Sequence, residues 1–235
     1  MKTVFIRAIE ATDKAQAIRQ AIHEPELTMG TTRFEVEPEA FSVVPRTPFA
    51  YWVSDRIRRI FQELPPFEGE ERTAKVGLQT SDDFRFVRLW TEVDPHTLGR
   101  RWFPFAKGGR FSPYYADVHL VVNWAQDGGE ISNFYKPESD RLASRPQNTD
   151  FYFRPGLTWT NSTTLPFSAR AMGEQCVFGH MGPSAFLRQQ SLLSFLSVLN
   201  CAPFGFLISL GLGLAGQGRK HYEVGLIQRT PIPRL

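Results

Sequence analysis

The sequence predicts an α+β fold: a helical N-terminal segment, a twisted and mostly antiparallel sheet, and a C-terminal helix. Before residue 72, apolar residues recur at helical spacing. From 75 to 178, short aromatic segments alternate with Gly, Pro, Asn and Asp, which is typical of strands joined by turns. A chain of 235 residues can bury a core without disulfides. We therefore expect a helical segment at 1–72 and a sheet-based domain at 73–235.

The N-terminal segment is predicted to contain two helices and a strand. Thr12 can cap a first helix that extends through Ala21, and its alanines form a narrow apolar stripe with Ile18 and Ile22. A strand is expected over residues 31–36.

Thr47 and Pro48 indicate the start of the second helix, which the proline pair after Leu64 ends. Its arginines, Arg56, Arg58 and Arg59, lie off the apolar stripe, so we interpret them as a solvated face, with DNA contact as the alternative.

The sheet is predicted from short aromatic segments at 84–89, 118–124, 151–153, 157–160 and 176–178. In the first of these, period-two alternation places Phe84 and Phe86 on one side and Arg85 on the other. Residues 205–210 also resemble a strand. Ser184 is expected to begin the C-terminal helix, which ends near Asn200, and a last strand follows. The larger aromatic side chains are interpreted as sheet core, with base stacking as the alternative: Trp102, Tyr114, Trp124, Tyr152 and Trp159.

The positive charge is concentrated in the second half of the chain. Residues 1–72 contain ten Lys and Arg against twelve Asp and Glu, whereas residues 141–235 contain nine against three. Arginine predominates over lysine, and its planar guanidinium suits bidentate hydrogen bonds to phosphate or to a guanine edge. This distribution favours a nucleic-acid partner, and a generic basic surface is the alternative.

The potential catalytic motifs lack the context that their chemistry requires. The run 211–216 matches a dinucleotide fingerprint, but residues 217–221 do not begin an apolar helix and no second strand follows. A flexible loop that brings Arg219 and Lys220 to DNA phosphates is the better interpretation. Asp82 and Asp83 are predicted to cap a turn, because adjacent strand residues cannot form a paired carboxylate site.

No catalytic or metal-binding residue is predicted. The two cysteines and five histidines lack ligand spacing, and no Ser or Cys occupies a nucleophile elbow. The N-terminus lacks the features of a secretory signal, and the apolar run at 204–214 is too short to span a bilayer. We therefore expect a cytoplasmic protein with no membrane partner.

Taken together and in order, several motifs resemble a known family. They are Phe49-Ala-Tyr-Trp52, Lys75-Val-Gly-Leu-Gln-Thr80 with Asp83-Phe-Arg-Phe-Val-Arg88, Trp102-Phe-Pro-Phe-Ala-Lys-Gly-Gly109, Val121-Val-Asn-Trp124, and the segments 151–159 and 192–200. From about Phe34 to Pro233, the chain is similar to the downstream region of large adenine-specific DNA methyltransferases of the BREX and type IIG restriction-modification kind. In that family this region carries a TaqI-like target-recognition domain and follows the catalytic domain.

The sequence also departs from the family pattern. The Asn/Asp-Pro-Pro-Tyr/Phe catalytic motif and the S-adenosylmethionine motif are both absent, and Leu64-Pro65-Pro66-Phe67 has leucine where a hydrogen-bond acceptor is needed. The resemblance therefore implies a recognition module that is not catalytic alone, with S-adenosylmethionine bound only by a separate catalytic domain or subunit. A fragment, a split subunit and a gene remnant are alternative origins.

The resulting hypothesis is sequence-specific binding of double-stranded DNA for phage defence or restriction-modification. Expected phosphate contacts are Arg88, Lys107, Arg110, Arg145, Arg154, Arg219 and Lys220. Expected base contacts are Gln79, Thr80, Ser81, Arg85, Asn148 and Asn161, for each of which a turn or cap role is the alternative. A docking or inhibitory partner of a methyltransferase, or a subunit of an active methyltransferase or restriction enzyme, is the alternative function.

Overall fold

A computed structural model describes residues 1–44, 50–135, 140–188, 191–212 and 218–233. In chain order the elements are β1 (Thr3–Ile6), α1 (Lys14–His23), α2 (Pro25–Thr28), β2 (Arg33–Val36), α3 (Asp55–Glu63), β3 (Arg72–Lys75), α4 (Asp83–Phe86), β4 (Val87–Leu89), β5 (Trp102–Ala106), β6 (Leu120–Asn123), α5 (Ala125–Ser132), β7 (Gly156–Trp159), β8 (Ser162–Thr163), β9 (Ala169–Met172), β10 (Val177–Phe178), β11 (Ser184–Leu187), α6 (Leu192–Leu199), α7 (Ala202–Gly211), β12 (Lys220–His221) and α8 (Val224–Arg229).

The strands form two four-stranded sheets and two strand pairs. Sheet I has the order β10-β5-β6-β4 and is antiparallel except for the parallel pairing of β10 with β5. Sheet II has the order β3-β11-β7-β9 and is antiparallel throughout. The remaining pairs are β1 with β2 and β12 with β8. The α+β class and the mostly antiparallel pairing are confirmed, although the strands are divided between two larger sheets.

Sheet II packs against the C-terminal helices. Its core contains Trp159 from β7 together with Phe195 and Leu199 from α6 and Ile208 from α7. The indole Nε1 of Trp159 donates a hydrogen bond to the Tyr222 carbonyl oxygen at 2.7 Å. Because a buried indole N–H is costly to leave unpaired, this bond fixes the segment after β12 against the sheet.

Two further apolar clusters complete the interior. One surrounds sheet I and includes Phe86, Phe105 and Phe178. The other joins Val44 and Val53, which precede α3, to Leu207 and Leu210 of α7. The N-terminal segment thus packs on the C-terminal helices, and the predicted boundary at residue 72 stays a prediction.

The first predicted helix differs in its cap and its apolar side. Helix α1 is capped by Asp13, whose side chain accepts a hydrogen bond from the Gln16 backbone N–H at 2.9 Å. Ile18 and Ile22 are exposed, and Ala21 is buried. The predicted apolar stripe is therefore right for its alanine Ala21 and wrong for the two isoleucines, because this helix contacts the rest of the protein through a small residue.

The second predicted helix begins later than expected. Ser54 caps α3, and Thr47 and Pro48 lie outside the described residues. Arg56 and Arg59 are exposed, as predicted. The predicted solvent exposure of Arg58 is wrong. This residue is 5% exposed, donates to the Ala50 carbonyl oxygen at 2.9 Å and pairs with Asp55.

The aromatic segment at 84–89 is only partly a strand. Asp83–Phe86 forms the single helical turn α4, capped by Asp82, whose carboxylate accepts from the Arg85 backbone N–H at 3.0 Å. Phe84 is exposed and Phe86 is fully buried, so the predicted period-two arrangement is wrong. The local cap outweighs the strand preference of the aromatic residues, and the predicted capping role of Asp82 is confirmed.

Three more assignments are corrected. Residues 149–151 form a 3₁₀ turn, Ser184 lies in strand β11, and residues 205–210 belong to helix α7. The C-terminal helical region begins with α6, capped by Ser191. Of the five large aromatic side chains expected in the core, Trp102, Trp124, Tyr152 and Trp159 are buried, whereas Tyr114 is exposed.

Within the described ranges, no single helix is long and apolar enough to cross a membrane. Helices α6 and α7 meet that criterion of length and composition only as a pair, with a 62° bend between them.

Candidate nucleic-acid interface

The loop after β5, Lys107-Gly108-Gly109-Arg110, is held in place by backbone contacts. Gly108 and Gly109 have φ angles of 88° and 145°. A Cβ atom at Gly108 would lie 2.6 Å from the Met181 carbonyl oxygen, so only glycine fits there. The Thr160 hydroxyl donates to the Gly109 carbonyl oxygen at 3.0 Å. The loop therefore presents the side chains of Lys107 and Arg110 from a fixed backbone.

Lys107 is paired with an acidic side chain. Its ammonium contacts the Asp83 carboxylate, which also accepts a hydrogen bond from the Thr80 hydroxyl. Burial raises the pKa of Asp83, but the hydrogen bonds from Lys107 and Thr80 and the charge of Lys107 outweigh it, so the pKa lies below its ordinary value. Asp83 is therefore ionised at neutral pH and offsets the charge of Lys107.

Two turns lie side by side next to this pair. The backbones of Gln79 and Arg145 exchange two hydrogen bonds, at 3.0 and 2.9 Å. The Ser81 hydroxyl donates to the Ala143 carbonyl oxygen at 2.6 Å. A cleft of about 210 Å³ opens here, lined in part by Gln79, Thr80 and Lys107. Four of the predicted DNA contacts and the backbone of Arg145 are thus brought together.

The C-terminal pair of predicted cations lies on the other side of the loop. Lys220 pairs with Thr163 in the β8–β12 ladder, and Arg219 precedes it. The Asn161 carbonyl oxygen accepts from the Tyr222 backbone N–H at 2.7 Å. Strand β8 follows Thr160, whose hydroxyl binds the Gly109 carbonyl oxygen, so the β8–β12 pair is connected to the Lys107 loop. We call the surface of these connected segments the basic strip; its members are Gln79, Thr80, Ser81, Lys107, Arg110, Arg145, Asn161, Arg219 and Lys220.

Arg85 and Arg88 are engaged within the protein. The Arg85 guanidinium donates through Nε and Nη2 to one carboxylate oxygen of Glu130, at 3.0 and 2.9 Å, and lies 5.0 Å from the Phe134 ring centre. Arg88 donates to the Val87 carbonyl oxygen at 2.7 Å. A DNA contact by either residue would compete with these interactions, and both roles stay predictions.

Asn148 and Arg154 line a different cleft, of about 700 Å³, together with Lys75. The Asn148 side chain donates to the Val76 carbonyl oxygen at 2.8 Å, and the Arg154 guanidinium lies 5.2 Å from the Phe151 ring centre. Neither residue lines the cleft beside Lys107.

Four cations of the basic strip are free to bind an external anion. The side chains of Arg110, Arg145, Arg219 and Lys220 make no hydrogen bond or ion pair with any other residue in the described ranges. A phosphate would therefore displace water rather than an internal partner.

Sequence reasoning missed Arg170. This β9 residue is 4% exposed, and its guanidinium donates to the Arg110 carbonyl oxygen at 3.1 Å and to the Thr160 hydroxyl at 3.0 Å. Burial lowers its pKa. No carboxylate in the described part of the chain forms an ion pair with it. Its lack of a counter-ion is a tertiary property for which the sequence carries no signal.

The glycine-rich run 211–216 begins at the end of a helix. Helix α7 precedes the run, where a dinucleotide fingerprint requires a strand, and residues 213–217 lie outside the described residues. No group of three or more His, Cys, Asp or Glu side chains that could hold a metal ion occurs among the residues that the structure describes.

Comparison with known proteins points to one class, the adenine-specific methyltransferases. No family model matches the sequence. The chain is 29% identical over 199 residues to the adenine-specific methyltransferase PglX of Lacticaseibacillus casei (strain Zhang), covering 80% of this chain and 16% of that protein. It is 31% identical over 168 residues to the adenine-specific methyltransferase BrxX of Escherichia coli O9:H4 (strain HS), covering 68% of this chain and 13% of that protein. The chain thus spans less than a fifth of either relative, and the similarity supports a methyltransferase-related role.

Proposed function

We propose that this chain is the sequence-specific DNA-recognition module of an adenine-specific methyltransferase. It would bind double-stranded DNA and present a target adenine to a catalytic domain or subunit that uses S-adenosylmethionine. The observation that carries the proposal is that four cations of the basic strip have no internal partner in the described ranges, and that one of them, Arg110, belongs to a loop with a fixed backbone. The similarity to PglX and BrxX supports the methyltransferase context.

Phosphate binding would come from the uncommitted cations. Arg110, Arg145, Arg219 and Lys220 are on turns or strand ends, where their side chains can follow a phosphate backbone. Asp83 neutralises Lys107, so Lys107 would contribute less to affinity than the other four.

Base contacts would come chiefly from Gln79. Its backbone is fixed by Arg145, whereas its side chain makes no hydrogen bond within the described ranges. The carbonyl oxygen and the NH2 group of its amide can therefore both bind an adenine edge. The Thr80 hydroxyl donates to Asp83 and the residue is only 5% exposed, so Thr80 would support the turn rather than contact a base. The Ser81 hydroxyl already donates to the Ala143 carbonyl oxygen and can offer DNA only its lone pairs.

A second candidate function is a docking partner of a methyltransferase. The observation in its favour is an apolar cleft of about 850 Å³ on sheet I, lined in part by Trp90, Phe103 and Phe153. Trp90 is 52% exposed, and large exposed apolar groups often mark protein interfaces. This function predicts co-purification with a methyltransferase and no DNA binding by the chain alone.

Selection from a pool of randomised duplexes tests the proposed function directly. We expect the purified chain to retain duplexes that share one short sequence, and Gln79→Ala to relax the preference at one position. Gln62→Ala is the matched control, because Gln62 is an exposed glutamine on α3 away from the basic strip. Retention without any enriched sequence, or no retention, would contradict sequence-specific recognition.

A methyl-transfer assay separates recognition from catalysis. The chain is incubated with duplex DNA and labelled S-adenosylmethionine, and we expect no label in the DNA, because the catalytic Pro-Pro motif has leucine at its first position. Incorporation of label would show that the chain is an active methyltransferase.

A further inference from the structure

A cleft of about 740 Å³ lies between the two large sheets, beside the basic strip. Sheet I contributes Phe105 and Leu120, and sheet II contributes Thr158 and Arg170. Its volume is within the roughly 300–1,000 Å³ range of sites that bind small molecules. Of the residues proposed to contact paired DNA, Lys107 and Arg110 line this cleft, whereas its aromatic side chains and Arg170 take no part in those contacts.

One wall of the cleft carries an unneutralised buried charge. Arg170 uses its guanidinium to hold the Arg110 carbonyl oxygen and the Thr160 hydroxyl, both of them neutral acceptors. A charge buried without a counter-ion is costly, and such a charge facing a cleft favours an anion. Arg110, at the rim, has no ionic partner in the described part of the chain. Together these residues suit a phosphate group.

The loop that follows Arg110 carries aromatic side chains into the lining of the cleft. Phe111 and Tyr115 line the cleft and are 47% and 67% exposed. The loop is pinned to β9, because the Tyr114 N–H donates to the Ala169 carbonyl oxygen at 2.8 Å and its carbonyl oxygen accepts from the Ala171 N–H at 3.0 Å. Tyr114 has a φ of 73°, which is unfavourable for a bulky residue, so tertiary contacts impose this conformation.

We propose that this cleft holds a single unpaired nucleotide of a DNA strand. Its base would stack on Phe111 and Tyr115, and its phosphate would bind Arg110 and Arg170. Asp117 also lines the cleft and accepts from the Tyr115 hydroxyl at 2.6 Å, so the amino or imino group of a base would face that side. The inference rests on the proposed DNA-binding function and adds that the bound duplex is locally unpaired.

The test compares two duplexes that differ by one unpaired base. One is fully paired, and the other carries a single bulged 2-aminopurine, whose emission falls when it stacks. We expect the full chain to bind the bulged duplex about fivefold or more tightly, the lower end of what one stacked base contributes, and to quench its emission. Tyr115→Ala and Phe111→Ala should each reduce this preference and leave binding of the paired duplex unchanged.

Two controls show whether the preference for the bulged duplex arises in this cleft and whether the cleft binds a free nucleotide instead. Trp90→Ala removes an exposed aromatic side chain outside this cleft and should leave the preference intact. Free 2-aminopurine deoxynucleoside monophosphate should bind far more weakly than the bulged duplex; equal or tighter binding would identify a free nucleotide as the ligand and overturn the proposal.

The failures of the two proposals are distinguishable. Equal binding of both duplexes, with salt-sensitive affinity retained, would overturn the nucleotide site alone. If the preference for the bulged duplex survives both Tyr115→Ala and Phe111→Ala, the unpaired base binds elsewhere, and this result would also overturn the inference. Absence of binding to either duplex would overturn the DNA-recognition proposal itself.

Discussion

Asp83 determines how much of the charge of Lys107 is available to a ligand. The carboxylate binds both the Lys107 ammonium and the Thr80 hydroxyl, and these contacts hold its pKa below the ordinary value despite the opposing effect of burial. Because the Asp83 side chain is 56% exposed, solvent screens the pair and its net contribution to stability is small.

Asp83→Asn should lower stability only where the carboxylate is ionised. A lowered folded-state pKa means that the contribution is fully present above the unfolded value of 3.8 and is lost as the pH falls through the folded value. Urea denaturation between pH 3 and 6 should show a constant deficit for the variant above about pH 5 that shrinks below pH 4. Asp150→Asn, an exposed residue without a described side-chain partner, should follow the wild type.

Glu130 holds Arg85 away from external ligands. Glu130→Gln should release the guanidinium and increase DNA affinity severalfold, with the salt dependence steeper by about 0.9 for one added phosphate contact. Measurement of affinity at several salt concentrations tests this result. The steepening should vanish in an Arg85→Gln background; if it persists there, Arg85 is not the released cation.

At the scale of elements, a close backbone contact at Gly182 connects the loop after β5 to the segment before β11. A Cβ atom at Gly182 would lie 2.4 Å from the Ala106 carbonyl oxygen and 2.6 Å from the Gly108 nitrogen. The end of β5 and the start of the Lys107 loop therefore depend on a close backbone approach at Gly182.

Gly182→Ala should destabilise the protein by about 1–3 kcal/mol or more, because the added methyl group meets backbone atoms that cannot move independently. Equilibrium unfolding in urea measures the change. Gly173→Ala is the matched control: nothing lies within 4 Å of the added Cβ, and we expect a change within about 1 kcal/mol. Equal effects of the two substitutions would contradict the close approach.

Asn200 joins helix α6 to strand β9. Its Oδ1 accepts from the Ala169 N–H at 2.9 Å, and its Nδ2 donates to the Ala169 carbonyl oxygen at 2.8 Å. Asn200→Asp should cost about 1–3 kcal/mol, because a carboxylate oxygen would face that carbonyl oxygen. Denaturation of Asn133→Asp, whose exposed side chain donates only to the Gly129 carbonyl oxygen, should show a smaller loss; an equal loss would contradict the role of Asn200.

Secondary structure was predictable where the apolar pattern was long and regular. The apolar face around Phe195 and Leu199 correctly located α6. The pattern gave the wrong structure at 84–86, where the Asp82 cap favours a helical turn. It was also wrong at 184–187, where pairing with β3 and β7 makes the segment a strand. Caps leave a sequence signal, whereas strand partners distant in the chain do not.

At the scale of the whole molecule, the sequence indicated which residue types form the candidate site. It did not indicate whether their charges are free or already paired within the protein. Arg110, Arg145, Arg219 and Lys220 were selected by type and loop position, and their place on one DNA-binding surface stays a prediction. Three properties depend on contacts between distant segments: these four cations have no partner in the described ranges, Glu130 binds Arg85, and Arg170 is buried without a counter-ion. Those properties require the tertiary structure.

The most direct test is the salt dependence of duplex binding by two triple variants with the same loss of charge. Arg110, Arg145 and Arg219 are replaced by glutamine in one; in the other the replaced residues are Lys14, Arg19 and Arg56, which are exposed cations of the N-terminal segment. If the basic strip binds phosphates, the first variant should reduce the slope of log affinity against log salt by about 2.7, and the second should leave it unchanged. Equal slopes for both variants, or wild-type binding that does not weaken with salt, would contradict DNA recognition by the strip.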